Sequence, residues 1–339
     1  MAGKRDLFAR WMDRIGLLRC LEALPQRGRL LVVNYHRIGD HRTTDFDPEI
    51  FTIHQEGLAS QVKALKERYS LLHLGEAMEI ICGKSKPRGL SVLLTFDDGY
   101  LDNMTLAVPV LKAYGATAVF FLVTGYLDNP GQIPWWDQIA SMTRRCIGRT
   151  IGISQPEPWS IAVTDENTER VIRSLLARFR SDGIHEKRFF EELGAQTGKA
   201  EAQLPGTRLM MNWGDARQLL EEGMTIGLHT HTHAILSRLD EADQANELIT
   251  CRCRLRQQLG FEAKVLAYPV GTPAAFTPVT KRLAREAGIE AAFSFYGGTN
   301  KPGEIDPFDV RRVAFPAFAP QPRSRAAAAL MAASGRVWF

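Results

Sequence analysis

Three histidines stand within five residues, His229, His231 and His233, in the stretch TIGLHTHTHAIL. Imidazole is the commonest side-chain ligand of catalytic divalent metals. Such sites use about three protein ligands and leave one position open to water. A second cluster lies in TFDDGY, residues 95–100, where an apolar run meets two aspartates and a glycine. Adjacent carboxylates repel each other unless a cation or a proton intervenes. Neighbours at a strand end point different ways, so one can hold a metal while the other faces a substrate. His229 and His233 with one aspartate then make a set of two imidazoles and one carboxylate. Gly99 permits a tight turn, and the amides after it can point at an oxyanion. The plainer readings are a strand that shows histidines to solvent and an aspartate that caps a turn. Both clusters sit at strand ends, and their pairing favours the metal site.

These residues need elements to position them. RLLVVNYH, LSVLLTFDD, ATAVFFLVTG, MTIGLHTH, AKVLAYPVG, AAFSFY and DVRRVAFPAF read as strands. Between them, residues 51–68, 101–114, 241–259 and 278–288 read as helices. Continuous apolar strands alternating with helices imply a parallel sheet covered on both faces. About seven such strands predict an α/β fold, a distorted (β/α) barrel, over an open doubly wound sheet. In such folds catalytic groups gather at the carboxyl ends of the strands. Residues 131–210 break the rhythm, with three helical stretches and no comparable strand, and read as a helical insertion. The expected organisation is an N-terminal amphipathic helix over 1–28, the barrel over 29–320 and a C-terminal helix and tail over 321–339.

The bulk numbers exclude other classes. A net charge of +4 over 339 residues, with no basic stripe interleaved with aromatics, argues against a nucleic-acid partner. The five cysteines show no C-x-x-C pair and read as reduced thiols. No run of about 18 apolar residues is present to span a membrane. No signal peptide is evident, so the expected location is the cytoplasm or the inner membrane face. In the first helix Leu7, Phe8, Trp11, Met12, Ile15 and Leu18 share a face, with Arg10, Arg14 and Arg19 elsewhere. Such a helix can lie on a membrane surface or pack on the domain's own body.

Taken together, TFDDGY and HTHTH resemble the polysaccharide deacetylases of carbohydrate esterase family 4, the NodB-homology fold. His229, Thr230 and His233 match the family's H-[S/T]-x-x-H motif position by position. NWGDARQLLEEGMTIGLHTHTH and LAYPVG are similar to further family segments. The resemblance implies Asp97 as catalytic base and Asp98, His229 and His233 as ligands of a divalent cation, most often zinc. It implies the backbone N–H of Tyr100 as oxyanion donor, with Tyr268 and Pro269 in support. His231 falls on a variable position.

Two departures stand out. Many members carry a late histidine as general acid, and this chain has none after His233. His36, in VVNYHRIGD, resembles instead the early Tyr-His motif of the biofilm poly-N-acetylglucosamine deacetylases, which implies His36 as the acid. The arginine that steadies the catalytic aspartate in many members is missing from Ala267–Gly271. Arg311 or Arg312, in DVRRVAF, is the expected substitute, with Arg312 preferred. The implied activity is metal-dependent removal of N-acetyl groups from a glycan or its precursor. The alternatives are deformylation or deacetylation of a lipid-linked sugar at the inner membrane face, and a non-catalytic carbohydrate-binding relative. Trp135, Trp136 and Trp213 offer aromatic faces for sugar rings, against the plainer reading of core tryptophans.

Overall fold

A computed structural model of the chain describes residues 4–23, 28–181, 183–197, 208–315, 318 and 321–334. It divides into two compact units, one of residues 1–39, 52–130 and 209–339, the other of 40–51 and 131–208.

The first unit is built on seven parallel strands among the described residues. They are β1 (Arg29–Tyr35), β2 (Leu90–Phe96), β3 (Val119–Leu122), β4 (Thr225–Leu228), β5 (Val265–Ala267), β6 (Ala291–Ser294) and β7 (Val310–Val313). Each pairs with the next in chain order. The ring closes where Val32 and Val33 of β1 pair with Arg312 and Val313 of β7. This is the distorted (β/α) barrel. A two-residue strand, Ser70–Leu71, adds beside the start of β2.

Side chains alternate across each strand, so one sequence run serves two cores. Leu31, Val33, Leu94, Phe96 and Phe120 face outward into the core shared with the surrounding helices. Leu30, Val32, Leu93, Phe121, Phe293 and Val310 face inward and fill the barrel, with Ile80 and Ile81 of the helix Leu74–Ile81 in the same cluster. Gly227 lies where the interior has no room, since a Cβ there would stand 2.4 Å from the Phe121 ring.

Several local expectations are corrected. The segment read as a helix from Phe51 begins as a short strand, Phe51–Ile53, and the helix proper is Gln55–Arg68. Residues 101–114 are not one regular helix: a wide turn over Asn103–Ala107 precedes Val108–Ala113, where Pro109 enters near the helix start. The N-terminal helix Lys4–Arg14 does not bury its apolar residues as one face. Ala9 and Met12, with Leu18, pack on Ala326 and Ala329 of the helix Gln321–Ser334. Leu7, Phe8, Trp11 and Ile15 stay exposed.

The second unit holds the helices Trp135–Arg144, Thr168–Phe179 and Glu186–Thr197. It also holds an antiparallel hairpin, Thr150–Ile153 with Trp159–Ala162, where strands were not expected. Its core is aromatic: Phe179 stacks on Trp135 at 4.5 Å and meets Phe189 edge-on at 5.2 Å.

Candidate active site

The inward alternation on three strands continues past the apolar layers into polar residues. After Leu30 and Val32 comes Asn34 on β1, after Leu93 come Thr95 and Asp97 on β2, and after Val310 comes Arg312 on β7. All four are buried. Arg312 grips Asp97 with both ends of its fork, Nη1 to Oδ1 at 2.7 Å and Nη2 to Oδ2 at 2.9 Å. Asn34 closes a triangle. Its Nδ2 donates to Asp97 Oδ2 at 2.9 Å, and its Oδ1 accepts from Arg312 Nη1 at 2.9 Å and from Thr95 Oγ1 at 2.7 Å. Planar bidentate pairing of this kind fixes direction as well as charge. Burial alone pushes the Asp97 carboxyl up. The charges of Arg312, His229 and His36 outweigh it and hold the group below the usual carboxylate range.

His36 follows β1. Its Nε2 lies 3.9 Å from Asp97 Oδ2, and its side chain is 21% exposed where that of Asp97 is 3% exposed. Its backbone is tied at both ends, the N–H donating to Thr52 Oγ1 at 3.1 Å and the carbonyl accepting from Asn103 Nδ2 at 2.6 Å. The Phe295 ring stands edge-on to the imidazole at 5.6 Å.

Adjacent aspartates diverge because the backbone reverses between them. Asp98 takes φ 72° and Gly99 φ 85°, both in the left-handed region. Asp97 therefore faces the barrel interior while Asp98 meets the histidines. Asp98 Oδ1 lies 3.4 Å from His229 Nε2 and 3.3 Å from His233 Nε2. Thr230 and His233 are also left-handed, at φ 63° and 61°. Non-glycine residues in that region are held there by their surroundings, typically at functional sites. One holder is Glu247, on the helix Glu241–Leu259. Its carboxylate accepts from the N–H groups of His231 and Thr232 at 2.8 and 2.9 Å and from Thr232 Oγ1 at 2.8 Å.

The donor set fits a divalent cation. One ligand atom each from Asp98, His229 and His233 lies within 4.8 Å of the others. His229 Nδ1 lies 2.8 Å from the Ala267 carbonyl; this pairing places the proton on Nδ1 and turns the Nε2 lone pair inward. Burial raises Asp98, but the two imidazoles against its carboxylate outweigh that and hold it far below the usual range. Burial lowers His229, yet the charges of Asp97 and Asp98 raise it overall, whereas His233 is lowered by burial. The carboxylates thus draw positive charge to this point.

His231 is turned elsewhere. Its Nδ1 lies 2.9 Å from Thr124 Oγ1, and its carbonyl accepts from the Gly125 N–H at 2.8 Å. His229→Ala is expected to lose bound metal and His231→Ala to keep it, measured as metal content of the purified variants. Loss of metal in the second would overturn this ligand set.

The remaining sequence candidates fall as follows. Tyr100 is buried, under the Arg37 guanidinium at 4.8 Å. It bridges to Met210 through the amides of Leu101 and Met211, so its own N–H takes no part in that bridge. Tyr268 donates its hydroxyl to the Phe308 carbonyl at 3.0 Å and stacks on Phe276. Pro269 opens the turn in which Val270 and Gly271 take positive φ. Arg311 is exposed and lies over the Tyr296 ring, which leaves Arg312 as the arginine on the aspartate. Trp213 is half-buried and donates from Nε1 to Asp128 at 2.9 Å. Trp136 is corrected: at 3% exposure it is core of the second unit, with no face for a ligand. Trp135 packs one face on Phe179 in the same unit, with Arg180 over its ring at 5.5 Å. Asn34 and Glu247 were missed. The inward alternation of β1 signals Asn34, while nothing in the sequence marks Glu247.

Solved structures share this fold, and a family model matches the sequence. The family model described as polysaccharide deacetylase matches residues 84–149 and 165–292, more than half of the chain. A relative from Bacillus subtilis (strain 168), the putative polysaccharide deacetylase YxkH, is 34% identical over 95 residues, covering 28% of this chain and 32% of the relative. The poly-beta-1,6-N-acetyl-D-glucosamine N-deacetylase of Escherichia coli (strain K12) is 27% identical over 138 residues, 40% of this chain and 20% of that protein. The chain thus spans a third or less of these relatives' lengths. Among solved structures, IcaB from Ammonifex degensii superposes with a TM-score of 0.57 at 22% identity, covering 90% of this chain and 98% of that one. The Streptococcus pyogenes deacetylase PplD in complex with acetate gives 0.55 at 15% identity, covering 84% and 92%. With its family model matched across both motif-bearing strand ends, this chain belongs to the polysaccharide deacetylase family.

Proposed function

We propose that this protein hydrolyses the acetamide of an N-acetylated sugar, in a glycan or its precursor, to acetate and a free amine. The observation that supports this most is the divergence of Asp97 and Asp98. One carboxylate is locked to Arg312 and Asn34, the other to two imidazoles. Asp98, His229 and His233 would hold a divalent cation, zinc foremost. Bound there, it supplies the Lewis acidity that lets water attack an amide at neutral pH.

The chain's own residues do the rest. Asp97, ionised at neutral pH, takes the proton of the attacking water, and the Arg312 fork keeps its free lone pairs aimed. The Tyr100 N–H donates to the oxyanion that develops as the carbonyl carbon becomes tetrahedral. His36, on the more exposed side of Asp97, donates a proton to the departing nitrogen as the C–N bond breaks. The E. coli relative is named for poly-β-1,6-N-acetylglucosamine, which makes that polymer the first substrate to try.

The test is acetate release from that polymer's oligomers, chitin oligomers, peptidoglycan fragments and lipid-linked N-acetyl sugars, with and without chelator. Release that stops with chelator and returns with zinc is expected. Release of formate from a formylated sugar in place of acetate would shift the reading to a deformylase. Sugar binding without any release would mark a non-catalytic relative.

A further inference from the structure

The helix Lys4–Arg14 carries more apolar surface than its packing face uses. Ala9 and Met12 close on the helix Gln321–Ser334. Its acidic residues go to that same helix, Asp6 pairing with Arg323 at 2.9 Å and Asp13 with Arg325 at 2.8 Å. Leu7, Phe8, Trp11 and Ile15 remain, each more than half exposed, and Leu17 follows at 39%. The Phe8 and Trp11 rings stack at 5.8 Å, which joins them into a ridge. Across the described residues the other exposed large hydrophobics lie apart in sequence, at Ile147, Ile249, Val279 and Tyr296. Arg5, Arg10, Arg14 and Arg19 are also exposed, and residues 4–20 contain no acid besides Asp6 and Asp13.

Isolated exposed hydrophobics are ordinary, whereas a contiguous patch marks a binding surface. The chemistry of this patch selects the occupant. Aromatic and aliphatic side chains suit the boundary between headgroups and acyl chains, and arginines at their edge suit anionic headgroups. The ion pairs to Arg323 and Arg325 occupy the acids that would repel such a surface. No helix among the described residues is long and apolar enough to cross a membrane. We propose that the outward face of the helix Lys4–Arg14 docks the protein on an anionic lipid bilayer, lying in the interface without spanning it. This does not depend on the catalytic reading.

The test is co-sedimentation of the full chain with vesicles of phosphatidylcholine alone or mixed with phosphatidylglycerol. The unmodified protein is expected to sediment with the mixed vesicles, to bind the neutral ones weakly, and to release as salt rises. Phe8→Ser with Trp11→Ser, and separately Arg10→Glu with Arg14→Glu, are each expected to lower partitioning by about tenfold or more. These side chains are exposed, so unfolding midpoints should match the unmodified protein. The charge pair also provides a second route should the apolar pair perturb folding. Unmodified protein left in the supernatant overturns the proposal, as does equal binding by both variants. So does a lipid-free dimer abolished by the Phe8/Trp11 change, which would assign the face to a second copy.

Discussion

Asp97→Asn is expected to lower turnover by about 10²–10⁴-fold while the protein keeps its metal. The substitution changes almost no volume and leaves Asp98, His229 and His233 in place. An amide cannot take a proton from water at neutral pH. It also cannot accept from Arg312 and Asn34 at both positions, because one oxygen becomes a donor facing donors. Turnover on a soluble N-acetyl oligosaccharide and metal content of the same preparation separate the two roles. Turnover within threefold of the unmodified enzyme would remove Asp97 as the base. Loss of metal with turnover would make it part of the cation's cage instead.

Arg312→Met is expected to destabilise the barrel by about 3–5 kcal/mol, because it leaves a buried carboxylate without its counterion. Arg312 is fully buried, and besides the fork on Asp97 its Nε donates to the Ser294 carbonyl at 3.1 Å. Methionine fills much of the same space, so most of the loss is electrostatic. A denaturant midpoint reads it directly. Asp97→Asn combined with Arg312→Met is expected to recover part of that stability and none of the activity, since the orphaned charge is gone. Strictly additive losses in the double variant would show that the two side chains do not act as a pair.

Much of this site was legible because it stands where strands end. Unbroken apolar runs gave the strands, and the polar residues following them marked the rim. Arg312 could be preferred over Arg311 without the choice being forced, since it depends on which phase of β7 faces inward. The register with β1 fixes that phase, pairing Val32 with Arg312. Asn34 carried the same signal and went unread, because asparagine at a strand end also suits a turn. Glu247 was illegible, being one of several polar residues on a long helix whose facing loop is set by tertiary packing. The tryptophans failed for a related reason. Trp136 is amphipathic and suits a cleft as well as a core, and only the packing of the second unit decides. The first helix read as one apolar face, and periodicity alone could not say that packing would take only its Ala9 and Met12 edge and leave Leu7, Phe8 and Trp11 outside.

Barrel closure also has a consequence for the order of events during synthesis. Asp97 and the arginine that neutralises it are 215 residues apart, and Asn34 and that arginine 278 apart. At about 5–20 residues per second, a ribosome needs roughly 10–40 s after Asp97 to deliver Arg312. During that interval the growing chain has its first two strands but no counterion to bury with them. The final strand therefore completes the proposed proton acceptor and the wall of the barrel in one act, and a chain still being translated is expected to be inert toward sugar.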